Sequence, residues 1–109
     1  MSLANLANLS EASLREWEFF NAAQHEEIVA RVASIYGVQL PSYPLYYIPG
    51  DYQLWEEQHQ EAHNNFCSLL GIAGNDYSIL DLKNPATLQV WTDLHLDEHR
   101  QANVILGIA

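Results

Sequence analysis

Basic side chains are scarce in this sequence: Lys and Arg number 4 against 14 Asp and Glu in 109 residues, giving a formal charge of −10 and a pI near 4.6. A nucleic-acid-binding module needs a basic face to neutralise phosphates, and an anionic membrane surface makes the same demand, so neither is an expected partner. The single cysteine, Cys67, cannot form an intrachain disulfide, which excludes a disulfide-stapled scaffold. No apolar run approaches the roughly 18 residues needed to span a bilayer. The opening stretch MSLANLANLS lacks the basic region of a secretory leader, so none is expected. Glycine-rich phosphate loops, a dinucleotide fingerprint and a nucleophile elbow are also absent.

Apolar residues make up 49% of the chain, enough for one domain with a modest core and too many for a disordered one. Histidine, with 5 copies, outnumbers Lys and Arg together. These histidines belong to an internal repeat. Trp17, Trp55 and Trp91 are each followed eight residues later by a histidine, His25, His63 and His99. Midway stand Asn21, His59 and His95, so two copies read WxxxHxxxH and the first reads WxxxNxxxH. Three residues before each Trp is a large apolar side chain (Leu14, Tyr52, Leu88), and fifteen after it another (Val32, Leu70, Leu106).

Steps of four and eight advance a helical side chain by only about 40° and 80°, so each copy makes one slanted stripe on one helix. The flanking residues agree. Ser10 or Ser13 can cap the first helix, with Glu16 completing a capping box behind Ser13, and Gly37 suits its left-handed end. Pro49-Gly50-Asp51 starts the second, which Gly71 ends. Asn84-Pro85 starts the third, which Gly107 ends. The expected fold is all-α: a compact three-helix bundle-like domain over 11–109, with helices at roughly 11–36, 51–70 and 85–106. An apolar arm over 1–10 precedes it, and an aromatic connector, VQLPSYPLYYIPG, joins the first two helices. Trp17, Trp55 and Trp91 are the expected core anchors.

The histidine stripe has two readings. In the first, Trp, His and Asn form a buried polar layer whose nitrogens hydrogen-bond to backbone carbonyls or to each other. Asn21 favours it, because Asn keeps a hydrogen bond but is a poor ligand for a soft metal. No cofactor, metal or catalytic residue is then expected. In the alternative, the i,i+4 pairs His59/His63 and His95/His99, joined by His25, hold zinc, nickel or copper. Glu56 and His59 have the Glu-x-x-His spacing of di-iron bundles, but there is one such pair where two are needed. In HQEAH the glutamate lies two residues after the first histidine, so the zincin arrangement is missing. Cys67 reads as a small core residue, with a Cys67–His63 nucleophile pair as the alternative. Glu26/Glu27, Glu56/Glu57 and Asp97/Glu98 read as solvated helix surface. No enzymatic activity is expected.

Two apolar features point outward. Leu3, Leu6 and Leu9 line one edge of the arm, and Tyr43, Tyr46 and Tyr47 crowd the connector; both are expected partner-binding surfaces. The order LREWEFFNAAQHEEI, GVQLP, WEEQHQEAHNNFCSLLGIAGNDYSILDLKN and a final W…EH…LGI resembles small proteins of tailed bacteriophages encoded among virion and head-assembly genes. The resemblance implies a non-catalytic structural or assembly role in the virion, with phage head or connector proteins as partners in an oligomer or larger assembly. Without it, a cytoplasmic protein-binding module is the expectation. The resemblance carries no assigned site residues.

Overall fold

The computed structural model describes residues 11–41, 52–75, 77 and 84–108. The fold is all-α, with α1 at Glu11–Tyr36, α2 at Tyr52–Leu70 and α3 at Pro85–Leu106. The helix bounds match the expected ones to within one residue, and Ser13, offered as a cap with Glu16, lies inside α1. At the start of α3, the Asn84 side chain accepts a hydrogen bond from the Ala86 N–H at 3.0 Å, and Pro85 takes the first turn, where its missing N–H costs nothing. At its end, Gly107 adopts φ 70° and ψ 29°, a left-handed conformation that other residues enter with strain, and the Ile108 N–H bonds back to the Asn103 carbonyl at 2.9 Å. The arm residues Leu3, Leu6 and Leu9 and the connector residues Tyr43, Tyr46 and Tyr47 lie outside the described residues, as does the Trp55 side chain.

Each helix packs against the other two. Ring contacts fix their relative direction. Trp17 meets Trp91 at 5.7 Å between centroids and His25 meets His99 at 4.7 Å, so numbers rise together along α1 and α3. On α2, His59 meets Trp91 at 5.5 Å and Phe66 meets His99 at 5.8 Å, again in ascending order. The three helices therefore run parallel.

Parallel packing puts equivalent repeat positions at the same height. Trp17 and Trp91 are buried at one level, and Ile28, Val32, Phe66, Cys67, Ile72, Ala102 and Leu106 form an apolar plug at the other end. Between them lies a polar stratum in the centre of the bundle: Asn21, His25, His59, His63, His95 and His99, each no more than 3% exposed. Two carboxylates, Glu18 and Glu98, are buried beside it. Glu98 departs from the solvated-surface expectation, for a reason that lies in its hydrogen bonds.

Candidate metal centre

The +8 residue of every copy meets its counterparts. His25, His63 and His99 form a nearly equilateral triangle of rings, with centroid distances of 4.8, 4.7 and 4.8 Å. One helical turn below, at +4, His59 and His95 are 4.7 Å apart, and Asn21 occupies the third position. The layers are in contact: His59–His63 is 4.6 Å, His95–His99 4.4 Å and His63–His95 4.7 Å. One ring nitrogen from each of the five histidines can be chosen so that all five lie within 4.8 Å of one another.

The rings are held by what surrounds them. Indole Trp91, one turn before His95, stacks on it at 5.1 Å with planes only 6° apart, and Trp17 leans on the same ring from α1 at 5.1 Å. Phe66 closes the other side, 4.8 Å from His63 and 5.9 Å from His25. The polar supports are more specific. Glu98 Oε1 lies 3.1 Å from His63 Nδ1 and accepts from the Cys67 thiol at 3.2 Å. Its Oε2 accepts from the Asn75 amide at 2.8 Å and from the Tyr77 hydroxyl. With Nδ1 donating to the carboxylate, the lone pair of His63 is on Nε2, which has no hydrogen-bond partner among the described residues. On the opposite side, the Asn21 amide nitrogen donates to Glu18 at 3.3 Å and lies 3.5 Å from Nε2 of His59.

Charge follows burial. Desolvation pushes the pKa values of His25, His59, His95 and His99 well below the usual histidine range, and the neighbouring imidazoles push them further. His63 is also lowered by burial, with Glu98 opposing. All five are neutral at pH 7, each with one nitrogen lone pair. For Glu98, burial alone raises the pKa, but the hydrogen bonds from His63, Tyr77 and Asn75 outweigh it and hold the carboxyl down to about 2. The Cys67 thiol and Tyr77 phenol are pushed up by burial and by the same carboxylate, so both stay protonated. A protonated thiol already donating to Glu98 is neither a nucleophile nor a soft ligand.

The polar layer expected from the sequence is present at some of its members: His63 bonds to Glu98, and Asn21 contacts Glu18 and His59. Neither ring nitrogen of His95 or of His99 has a hydrogen-bond partner among the described residues, although both side chains are at most 3% exposed. A buried polar atom left unpaired costs about 1–3 kcal/mol. Such atoms concentrated in one place, with one nitrogen of each of the five rings within 4.8 Å of the others, fit a ligand set. Asn21 stands at the third position of the +4 layer and contacts its neighbour His59.

Glu18, Asn75, Tyr77 and the buried position of Glu98 were not read from the sequence. Glu18 precedes Asn21 by three and His25 by seven, and Glu98 follows His95 by three, so helical spacing does put both on the inner face. Comparison with protein-family models, with curated proteins and with solved structures finds no match to this chain.

Proposed function

We propose that this chain is a metal-binding helical domain that holds one divalent first-row transition ion among His25, His59, His63, His95 and His99. The observation that carries the proposal is the convergence of five neutral, buried imidazoles, with donor atoms within 4.8 Å of one another. A metal–nitrogen bond of about 2.1 Å sets opposite donors about 4.2 Å apart, so a contraction of a few tenths of an ångström brings the set onto one ion. Two ions would need a larger donor set than these five rings supply. Imidazole donors suit zinc, copper, nickel and iron, while the absence of thiolate and carboxylate from the inner set argues against cadmium-like soft ions and against calcium or magnesium. The buried Glu98 carboxylate, bonded to the outer nitrogen of His63, can offset part of the charge of a divalent ion.

The test is direct. Protein stripped with a chelator and titrated with zinc, nickel, copper or ferrous ion takes up one equivalent per chain, and replacement of both His63 and His99 by alanine abolishes uptake. Stripped protein that binds none of these ions, or a double variant that binds as well as wild type, contradicts the proposal. A metal-clamped bundle is compatible with the virion or protein-binding role implied by the resemblance. The arm and connector residues expected to bind partners, Leu3, Leu6, Leu9, Tyr43, Tyr46 and Tyr47, lie outside the described ones.

A further inference from the structure

The internal symmetry of the site specifies its sixth position. Two triangular faces stacked one helical turn apart are the faces of an octahedron, and the parallel repeats supply them as the +8 and +4 layers. The +8 face is complete, with His25, His63 and His99 at 4.7 to 4.8 Å. The +4 face has His59 and His95, and at its third corner Asn21, 0% exposed. His25, on the same helix as Asn21, is 5.1 Å from His59 and 6.4 Å from His95, the spread expected between adjacent and opposite corners of such a set.

Building on the metal-binding reading, we propose that Asn21 keeps this sixth position open, and that a ferrous ion in the site there binds one small exogenous ligand of diatomic size. Asn21 is shorter than histidine, and its amide nitrogen donates to Glu18 and lies 3.5 Å from His59 Nε2, so the corner carries a carboxamide where the other two copies carry a ring. The other polar groups near the rings stand behind the imidazoles: Glu98 binds the outer nitrogen of His63, and Cys67 donates to Glu98. Space sets the ligand class. Replacing an imidazole by a carboxamide frees room on the order of one water molecule, about 30 Å³, and the surrounding wall is Trp17, Trp91 and the other rings, which cannot admit a larger substrate. The Asn21 amide beside that corner is placed to hydrogen-bond to a bound diatomic or to the water it replaces.

The experiment uses nitric oxide as probe. Stripped wild-type protein is loaded anaerobically with ferrous ion, the bound iron is quantified, and nitric oxide is added. Wild type gives an iron–nitrosyl EPR signal accounting for most of the bound iron. Asn21→His, which puts into α1 the residue that α2 and α3 already carry there, retains iron but loses at least ~10-fold of the nitrosyl signal. Asn21→Ala, which leaves the corner open without the amide, retains the signal, and circular dichroism of both variants confirms folding. Iron-loaded wild type with no nitrosyl adduct, an Asn21→His variant that forms it as well as wild type, or an Asn21→Ala variant that loses it, overturns the assignment. Failure of ferrous ion to load also overturns it, while uptake of zinc, nickel or copper in that case leaves the metal-binding reading standing.

Discussion

Glu98 is the residue on which the most local structure depends, because one carboxylate accepts from His63, Cys67, Asn75 and Tyr77. Replacing it with glutamine removes the charge that fixes the His63 tautomer and offsets the ion. Metal affinity, measured by competition with a chelator, is expected to fall about 10- to 100-fold. Histidine replacements separate the two readings of the stripe. If His99 were held by hydrogen bonds in a polar layer, His99→Ala would destabilise the metal-free protein. Its nitrogens have no such bonds among the described residues, so the metal-free protein is expected to lose no more than about 1–2 kcal/mol in urea unfolding, the void being partly offset by relief of buried unpaired nitrogens. The same variant should lose the stabilisation that metal confers on wild type. These residues were only partly legible in the sequence. The spacing of the five histidines was plain, but spacing alone does not show that Asn21 and the histidines of the other two helices meet in one layer. Glu98 was hidden because acidic residues flanking a stripe are usually solvated, and its partners Asn75 and Tyr77 come from a loop that carries no periodicity.

At the level of the helices, the sequence was far more informative. Trp-to-His spacing, the Asn84-Pro85 start and the glycines at 37, 71 and 107 locate all three helices, because each signal is local: a cap, a left-handed end, a 3.6-residue stripe. Their direction was not legible, since a stripe faces the core equally well in a parallel or an antiparallel helix. Parallel packing is the arrangement that brings equal repeat positions to equal heights and so turns three short motifs into two stacked triangles. Trp91 maintains that register, fully buried and stacked on His95. Trp91→Ala is expected to lower stability by about 3–5 kcal/mol and, by releasing the His95 ring, to weaken metal binding as well. A stability change within about 0.5 kcal/mol would mean that the helices do not pack in this register.

For the molecule as a whole, five imidazoles held neutral make folding sensitive to acid. Their folded pKa values lie below the ordinary value of 6.5, so near and below that pH the unfolded chain binds more protons than the folded one. Their contribution to stability is complete above about pH 6.5 and is lost progressively as pH falls. Glu98, held near 2, adds a further loss between its ordinary 4.5 and that value. Metal-free protein should therefore melt at a lower temperature at pH 5 than at pH 7.5. Loaded protein should release its ion over the same interval, because protons and metal compete for the same lone pairs. A melting temperature unchanged between those pH values would place the histidines in water.

The measurement that bears most directly on the central claim is the thermal unfolding of chelator-stripped protein with and without one equivalent of metal, paired with the stoichiometry of uptake. An ion bound at 100 times less than its free concentration stabilises the fold by about 2.7 kcal/mol, which in a domain of this size raises the melting temperature by roughly 10 °C or more. The structure predicts that rise at one ion per chain, and none in the variant lacking His63 and His99. A melting temperature that no first-row divalent ion moves would contradict the account and leave the histidines as packing alone.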